Sequence, residues 1–499
     1  SDGGLYVPYT WKETNLNLIG KDYSFEKTAY ETIRSFIGKD IDKNVLKKLI
    51  KKSYSTFRDK EITTLKSLDN NNYLLELFNG PTLAFKDIAL QFLGNTFEMF
   101  LKNKKKKLTI IGATSGDTGS AAIDAVKNNK FVNIFILHPY KRVSDFQRKQ
   151  MTTVNSSNVF NIGLRGTFDD CQNIIKKLFI DDELNKILNL GSINSINWTR
   201  IMAQITYYIY AYNKVLKLTG NHNISFSVPT GNFGDAYAGY IAKMKFKIPI
   251  NKLIVATNKN NILDRFFRTG TYKIDKVHST ISPSMDIQIA SNFERLLYDV
   301  NNCDGNNVSE LMYSFNDKGK IKVNKEYFGV TKNSFTSFSI NEKETKQRIK
   351  DTYNDFNLVI DPHTAVGLEA SSKYLKEQQE GIVVTLATAH PSKFSKSVRN
   401  ILGFDPDLPL GYKNIFDLEE KYQVIDHSIY PNDFGIAPMP YFSQQIPDHY
   451  IDMIKPSRLN LWKNISCTAE PNPTQINDHS RDIEMMARPK KTAEEPAAK

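Results

Sequence analysis

The most informative stretch of the chain reads Glu76-Leu-Phe-Asn-Gly-Pro-Thr-Leu-Ala-Phe-Lys-Asp87. An apolar, strand-like run from Tyr73 to Phe78 leads into a break at Asn79–Pro81, and apolar residues at helical spacing follow from Lys86 to Phe100. Lys86 is therefore predicted at the start of a helix, where the positive end of the helix dipole disfavours an ammonium group. Such a lysine suits a nucleophile or base, whereas the alternative is an ordinary surface lysine that extends from the helix into solvent.

The composition indicates a large globular chain of 499 residues, with room for about three domains. No apolar run is long enough to span a bilayer. The three cysteines are widely spaced, which excludes a disulfide framework and metal-ligand pairs and predicts a reducing, cytoplasmic location. The first residue is Ser1 rather than methionine, and no signal or transit pattern follows, so we expect a chain truncated at its start.

The net charge of +12 raises the possibility of a nucleic-acid partner, and the run Lys102–Lys107 is nearly all lysine. The excess is diffuse, however, and lysine, asparagine and isoleucine are frequent throughout the chain. We therefore interpret the charge as compositional and the lysine run as a solvated loop, and predict no nucleic-acid or membrane partner. A small anionic substrate would still be attracted by this positive field.

Two strand–loop–helix–strand units predict parallel sheets, in which ligands bind at the carboxyl ends of the strands. The first unit consists of a strand at Leu108–Ile111, a loop at Gly112–Gly119, a helix at Ser120–Lys127 and a strand at Val132–Leu137. The second consists of a strand at Ile224–Val228, a loop at Pro229–Asp235, a helix at Ala236–Lys245 and a strand at Leu253–Thr257. A third buried strand, Ile382–Ala387, ends at Thr388-Ala-His-Pro391.

The glycine spacing of the first loop matches neither a dinucleotide-binding nor a Walker loop. Its hydroxyls and backbone N–H groups lie at a predicted helix N-terminus, which suits a small anion such as a carboxylate. The alternative is a glycine turn in which Asp117 or Thr118 caps the helix. In the second loop Gly231 and Gly234 allow a phosphate to approach the backbone, and we expect the Asp235 side chain to cap the helix because its charge would repel a phosphate.

Taken together, these motifs resemble the threonine synthase family of pyridoxal-phosphate enzymes, in its fungal and enterobacterial subgroup. The resemblance extends from residue 1 to about residue 425 and rests on Asn79–Asp87, Gly112–Ser120, Gly231–Asp235, Ser282-Pro-Ser-Met-Asp286 with Asn292-Phe-Glu-Arg295, and Thr388-Ala-His-Pro-Ser-Lys-Phe394. The family's segment ahead of Asp2-Gly-Gly is missing here, and Tyr140-Lys141 replaces the residues expected before Arg142.

The resemblance implies an α/β, fold-type II architecture with two open parallel-sheet domains. The expected divisions are a mostly helical region at 1–70, a first α/β domain at 71–220 that carries the cofactor lysine and the substrate-carboxylate loop, and a second α/β domain at 221–425 that carries the cofactor-phosphate loop. Residues 426–499 match nothing in the family. From about residue 469 they are rich in Pro, Glu, Lys and Ala, a composition that predicts disorder.

By the same resemblance, Lys86 is the lysine that binds pyridoxal phosphate covalently and then acts as the general base. The cofactor phosphate is assigned to Gly231, Asn232, Phe233, Gly234 and Asp235, and the pyridine nitrogen to Thr388. The substrate carboxylate is assigned to Ser115, Asp117 and Thr118, and the leaving phosphate to Arg142, Ser144, Asn197 and Arg200. Arg200 has an equal alternative as a buried structural ion-pair partner, and His390 fits a structural role better than a proton relay.

The implied reaction converts O-phospho-L-homoserine and water to L-threonine and phosphate, in a monomer or homodimer without a metal. A threonine-synthase-like phospholyase, which degrades a phosphorylated amino acid to a keto acid, ammonia and phosphate, would use the same loops and remains an alternative. A non-catalytic nucleic-acid-binding protein is disfavoured, because such a protein would not need Lys86, Gly231–Asp235 and Thr388.

Overall fold

A computed structural model of the chain describes residues 4–8 and 17–426. These residues form sixteen α-helices: α1 (Phe25–Ile37), α2 (Lys43–Tyr54), α3 (Lys86–Lys104), α4 (Asp117–Val126), α5 (Asp145–Thr152), α6 (Phe168–Ile180), α7 (Asp182–Leu188), α8 (Trp198–Thr219), α9 (Gly234–Met244), α10 (Ile262–Thr269), α11 (Phe293–Val300), α12 (Gly305–Lys318), α13 (Lys325–Ser334), α14 (Glu342–Phe356), α15 (Pro362–Gln378) and α16 (Ser395–Leu402). Short 3-10 helices lie at Pro283–Met285, Pro391–Phe394 and Ile415–Asp417.

The same residues form thirteen strands: β1 (Thr64–Ser67), β2 (Asn72–Glu76), β3 (Leu108–Ala113), β4 (Val132–Pro139), β5 (Val159–Arg165), β6 (Leu190–Gly191), β7 (Ile224–Pro229), β8 (Ile250–Thr257), β9 (Thr271–Lys273), β10 (Lys320–Lys322), β11 (Phe335–Ser339), β12 (Ile382–Ala387) and β13 (Gln423–Asp426). The larger sheet has the order β1-β2-β12-β7-β8-β11 and is parallel except for β1. The smaller sheet, β13-β5-β4-β3-β6, is parallel throughout. The predicted α/β class with open parallel sheets is confirmed.

The sheets do not follow the predicted domain divisions. Strand β1 lies in the larger sheet although residues 1–70 were expected to be mostly helical, and β2, expected in the first domain, pairs with β12. Strand β13, at the end of the predicted second domain, pairs with β5 of the smaller sheet. Local apolar patterns reveal a strand but not its partner, which explains the difference. The disorder predicted from about residue 469 lies outside the described residues.

Helix α8 forms the centre of the largest hydrophobic cluster, and most of its residues are buried on every side. It begins at a cap in which the Asn197 side chain accepts the Thr199 N–H at 2.9 Å, and it ends at Gly220, whose φ of 68° is left-handed. Helices α1, α3 and α9 pack around it. None of the helices within the described residues, 4–8 and 17–426, has both the length and the apolar character that a membrane span requires.

Helices α3 and α4 approach closely at Gly94. A Cβ atom at this position would lie 2.2 Å from the carbonyl oxygen of Ala125, which is far inside van der Waals contact. The obstacle is backbone, which cannot rotate away as a side chain can. The distance between the two helices, and with it the position of the loop that precedes α4, therefore depends on glycine at residue 94.

We predict that Gly94→Ala lowers the free energy of unfolding by about 1–3 kcal/mol, because α3 and α4 must separate to admit the methyl group. Gly329→Ala is the matched control, since Gly329 also lies within a helix and a Cβ there meets nothing within 4 Å. The control should be neutral or stabilising by up to about 1 kcal/mol, because alanine is the better helix former. Chemical denaturation measures both changes, and equal stability of the two variants would contradict the prediction.

Candidate active site

The segment before Lys86 is joined to the segment after β12 by backbone hydrogen bonds. The Phe85 N–H donates to the Thr388 carbonyl at 2.9 Å, and the His390 N–H donates to the Leu83 carbonyl at 3.1 Å. The two segments run antiparallel at this point. Lys86, the first residue of α3, is thereby held next to Thr388 at the carboxyl end of the larger sheet. Ligands bind at this edge in open α/β sheets.

The turn that precedes Lys86 is shaped by Asp87. The Asp87 carboxylate accepts the Thr82 backbone N–H at 2.8 Å and the Thr82 hydroxyl at 2.6 Å. Burial raises the pKa of Asp87 to about 6. Gly80 packs directly on this side chain, because a Cβ at Gly80 would lie 2.4 Å from the Asp87 Cβ. Arg58 donates to the carbonyls of Gly80 and Pro81, so the turn is held by Arg58 as well as by Asp87.

Lys86 is buried, and its Nζ atom lies 3.2 Å from Oδ2 of Asp117 and 4.8 Å from the centre of the Phe85 ring. Burial lowers the pKa of Lys86, and repulsion from Arg200 and Lys393 lowers it further, while the attraction of Asp117 opposes the change. The net effect favours the neutral amine, the form that acts as nucleophile and base.

Asp117 begins α4 and lies between two lysines. Its Oδ1 accepts from Nε2 of Gln147 at 2.7 Å and lies 3.2 Å from Nζ of Lys393. Burial alone would raise the pKa of Asp117, but the charges of Lys86 and Lys393 outweigh burial and hold it well below its usual range. An ionised carboxylate would repel a substrate carboxylate. The side chain of Asp117 therefore does not suit the carboxylate-binding role expected for it, and only its backbone N–H could serve in that way.

The loop before α4 is organised by Thr114, whose hydroxyl oxygen accepts the N–H groups of Gly116 at 2.9 Å and Gly119 at 2.8 Å. Gly116 has a φ of 138°, a backbone conformation that residues other than glycine rarely adopt. Ser115 is exposed and Thr118 is half-buried, so both remain accessible at the helix N-terminus. This arrangement can receive a carboxylate through N–H groups and hydroxyls.

The second glycine loop forms a cradle at the N-terminus of α9. Phe233 adopts a left-handed backbone with φ of 64°, which is uncommon for a residue other than glycine. A Cβ at Gly231 would lie 2.6 Å from the carbonyl oxygen of Ser284, so only glycine fits there. The Asn232 carbonyl accepts the backbone N–H of Asn292 at 3.0 Å. Backbone N–H groups at such a helix start form a site for a phosphate group.

His363 supports this cradle through a hydrogen bond to Ser284. The Ser284 N–H donates to Nε2 of His363 at 3.1 Å, and Nδ1 of His363 lies 2.8 Å from Oδ1 of Asp361. Since Nε2 accepts a hydrogen bond, the ring proton is on Nδ1 and donates to Asp361. The sequence contains no local signal for this support, because Ser284 meets His363 and Asp361 only in the folded chain.

The Asp235 side chain does not cap α9 as expected. It points to α8, where its Oδ1 accepts the hydroxyl groups of Tyr207 at 2.5 Å and Tyr208 at 2.8 Å, while its Oδ2 is buried without a partner. Burial raises the pKa of Asp235 to about 6, against the opposing effect of the two hydroxyl donors. The Asp235 carboxylate therefore repels a phosphate in the cradle less than expected, because it faces the two tyrosines while the backbone of the residue faces the cradle.

Arg200 is buried, and its Nε and Nη1 atoms have no hydrogen-bond partner. No carboxylate of the described residues lies within ion-pair distance of it, so the structural ion-pair alternative is not supported. Burial lowers the pKa of Arg200 to about 10. Two buried guanidinium nitrogens without a partner are costly unless a ligand pairs with them, and an anion such as phosphate suits this fork of donors.

The other predicted phosphate ligands are gathered less closely. Ser144 caps α5, and its hydroxyl donates to the Lys393 carbonyl at 2.8 Å. Asn197 caps α8, one turn before Arg200. Arg142 is exposed in the turn after β4, and no described contact brings its side chain to Lys86. Of these residues, Arg200 is the one whose charge acts on Lys86, where it lowers the pKa of the lysine.

His390 has the structural role that sequence reasoning preferred. It caps the short helix at Pro391–Phe394, with Nδ1 2.8 Å from the Ser392 hydroxyl. Its ring also packs edge-on against Phe78. Burial lowers the pKa of His390 to about 4, which keeps the ring neutral at physiological pH.

Comparison with known proteins adds independent findings. Three family profiles match the chain: "Threonine synthase N terminus" at residues 1–54, "Pyridoxal-phosphate dependent enzyme" at 62–311 and "Threonine synthase, C-terminal" at 364–430. The threonine synthase of Pseudomonas aeruginosa is 41% identical over 433 residues, which cover 86% of this chain and 91% of that protein.

Two solved structures are similar over most of the fold. The yeast threonine synthase aligns with a TM-score of 0.81 at 42% identity and covers 85% of this chain and 91% of its own. The threonine synthase from Brucella melitensis, described as bound to PLP, aligns with a TM-score of 0.80 at 39% identity and the same coverage.

We predict that Asp235→Asn stabilises the cofactor-free chain relative to the wild type, increasingly as the pH rises. Asparagine keeps an oxygen for the two tyrosine hydroxyls but carries no charge. The pKa of Asp235 is about 6 in the folded chain, against 3.8 for an ordinary aspartate. The folded wild type therefore binds this proton more tightly than the unfolded chain does, and the stability that the proton contributes is lost as the pH rises from 3.8 to about 6. The difference should reach about 1–3 kcal/mol at neutral pH.

Urea denaturation across this pH range measures the difference. The matched control is Asp407→Asn, which removes the same charge from an exposed position and should change the free energy of unfolding by less than about 0.5 kcal/mol. A pH-independent difference for Asp235→Asn would show that the carboxyl group does not hold its proton in the folded chain.

Proposed function

This chain belongs to the threonine synthase family of pyridoxal-phosphate-dependent enzymes, and we infer that its site converts O-phospho-L-homoserine and water to L-threonine and phosphate. The enzyme is a lyase that acts on a phosphate ester and uses pyridoxal 5'-phosphate. Within the structure, the observation that supports this best is a buried lysine at the carboxyl edge of the larger sheet, together with a buried arginine, Arg200, whose Nε and Nη1 atoms have no hydrogen-bond partner.

The residues present fit pyridoxal phosphate. Lys86 offers a buried amine for the covalent link, and the Gly231–Asp235 loop offers a cradle in which a side chain at Gly231 would meet Ser284. Thr388 is buried beside the lysine turn, and we propose that its hydroxyl binds the pyridine nitrogen. When bound, the cofactor supplies the electron sink that makes the hydrogens on the substrate's Cα and Cβ acidic.

In the proposed mechanism, Lys86 moves the protons. Its Nζ takes the proton from the substrate Cα and then one proton from Cβ, and phosphate leaves from Cγ with the C–O bond electrons. A proton is then delivered to Cγ, the hydroxyl of water adds at Cβ, and a proton returns to Cα, which leaves threonine and phosphate. Burial favours the neutral amine that this role requires. The carboxylate of Asp117 lies 3.2 Å from Nζ and orients the lysine between these steps.

The substrate's two anionic groups need separate receptors. We propose that the N-terminus of α4, with Ser115 and Thr118, binds the carboxylate, and that the guanidinium of Arg200 binds the phosphate. Arg142, Ser144 and Asn197 remain proposed phosphate ligands. The Ser144 hydroxyl already donates to the Lys393 carbonyl and accepts the Gln147 N–H, so its contact with a phosphate would require a shared hydrogen bond.

We also propose a cytoplasmic location and a monomer or homodimer. The location is supported by the three widely spaced cysteines, two of which, Cys171 and Cys303, lie in the described residues and are free. Cell fractionation and analytical ultracentrifugation measure the two properties. Association with a membrane fraction, or a larger assembly, would contradict the proposal.

Lys86→Ala is predicted to abolish turnover while the protein stays folded, because the alanine cannot bind the cofactor covalently or move a proton. The control is Lys102→Ala on the exposed last turn of α3, which should keep the wild-type rate. Product analysis of the wild type completes the test: threonine and phosphate support the synthase, whereas a keto acid with ammonia would establish a phospholyase instead. Wild-type turnover by Lys86→Ala would refute the assignment.

Thr388→Val is predicted to weaken cofactor binding or turnover by about 1–3 kcal/mol, roughly tenfold to a hundredfold, because a buried nitrogen loses its partner. Thr385→Val is a matched control, since Thr385 is also buried and its hydroxyl has no partner. Thr388→Asp should instead stabilise a protonated pyridine and yield more keto acid per threonine. Equal affinities for the two valine variants would show that another group binds the nitrogen.

A further inference from the structure

A second buried lysine, Lys393, lies next to the proposed catalytic lysine. It belongs to the short helix that follows β12 and is fully buried. Its Nζ donates to the Thr82 carbonyl and to Oε1 of Gln150, each at 2.7 Å, and lies 3.2 Å from Oδ1 of Asp117. An ammonium group has three hydrogens, and here three acceptors surround it. Lys393 is therefore held as a cation in one position.

Asp117 connects this lysine to Lys86. Each oxygen of the carboxylate lies 3.2 Å from the Nζ atom of one lysine, Oδ2 from Lys86 and Oδ1 from Lys393. The two lysines differ in their other contacts. Lys393 has two further acceptors, whereas the one hydrogen bond described for Nζ of Lys86 is that to Asp117. Lys86 is thus the member of the pair that is able to move.

The reaction makes this asymmetry useful. When Lys86 gives up its proton or forms a covalent bond with the cofactor, it no longer neutralises Asp117 in the same way. A buried carboxylate that loses its counter-ion is strongly destabilised. Lys393 remains in place as a counter-ion, and its positive charge also repels an ammonium group at Lys86. Both effects favour the neutral amine of Lys86.

Other charged groups face Lys86 from the surrounding elements. Arg200 on α8 adds a second repulsive charge, and Asp235 on α9 interacts with Lys86 by attraction. Neither is hydrogen-bonded to Lys86 in the described contacts. Lys393 differs from them because it contacts both Asp117 and the Thr82 carbonyl, which belongs to the turn that leads into Lys86.

We propose that Lys393 is a positioning residue for Lys86: it is the permanent counter-ion of Asp117 and thereby allows Lys86 to react as a neutral amine. The proposal rests on the proposed role of Lys86. It assigns to Lys393 no contact with substrate or cofactor. Lys393 acts through the Asp117 carboxylate with which it pairs, and through its charge, which repels an ammonium group at Lys86.

The test measures the proton affinity of Lys86 directly. The full-length chain, freed of cofactor, is labelled with limiting acetic anhydride at a series of pH values, and acetylation of the Lys86 peptide is measured by mass spectrometry. Lys393→Met should raise the pH midpoint of labelling by about one unit, which is about a tenfold loss of reactive amine below the midpoint. Lys393→Arg keeps the charge and should restore the midpoint towards the wild-type value.

Gln150→Leu is the structural control. It removes one acceptor of Lys393 but changes no charge, so it should lower the melting temperature without moving the labelling midpoint. An unchanged midpoint in Lys393→Met would overturn the proposal and leave Lys393 a structural role only. If Lys393→Met does not fold, the double variant Asp117→Asn with Lys393→Met removes both charges. The proposal then requires a higher labelling midpoint for Lys86 in this double variant than in Asp117→Asn alone, because the double variant also lacks the repulsive charge of Lys393. Equal midpoints in the two variants would overturn it.

The holoenzyme separates this inference from the proposed function. Borohydride reduction of the wild type should fix the cofactor to the Lys86 peptide. Fixation to another peptide would refute the proposed role of Lys86 and with it the premise. Fixation to Lys86 together with an unmoved labelling midpoint would refute the role of Lys393 alone. The pH profile of kcat/KM should shift in the same direction as the labelling midpoint in Lys393→Met.

Discussion

The site depends first on the backbone pairing between the segment before Lys86 and the segment after β12. The Phe85 N–H and the Thr388 carbonyl are bonded at 2.9 Å, and this bond places the start of α3 at the carboxyl end of the larger sheet. Buried backbone groups must be paired, so the contact is preserved by a requirement that holds for any side chain. The chemistry then comes from which side chains occupy these positions. The lysine at residue 86 points into the site because the strand, the turn and the helix fix the position of its backbone.

Charge is the second constraint on the site. Lys86, Lys393 and Arg200 are buried close together, with Asp117 as the carboxylate that pairs with two of them. Buried charges of this kind add little to folding stability and often reduce it. Their presence is understandable if the missing negative charge arrives with the ligands, because a cofactor phosphate and a phosphorylated amino acid both bring it. The buried site thus has more basic than acidic side chains, and an anionic substrate would balance this excess of positive charge.

Local patterns predicted much of the fold. The strands β3, β7 and β12 and the start of α3 were recognisable, because an apolar run that ends at glycine or proline is a signal within a few residues. The partners of β2 and β13 were not predictable, since a strand's own sequence does not state which neighbour it pairs with. The same limit applies to the site. Lys393 stands in a recognised motif, yet its importance arises only where it meets Asp117.

Asp235 shows why residue type alone is a poor guide to an anion site. Its charge argues against a phosphate next to it, and the expectation of a helix cap was wrong. In the first turn of a helix, the backbone N–H and the side chain can face different surroundings. Here the side chain turns to Tyr207 and Tyr208, and burial raises its pKa to about 6, so part of its negative charge is suppressed near that pH. The backbone of the loop remains available to the phosphate. An acidic residue in such a loop is therefore compatible with anion binding whenever hydroxyl donors on the opposite side receive its carboxylate.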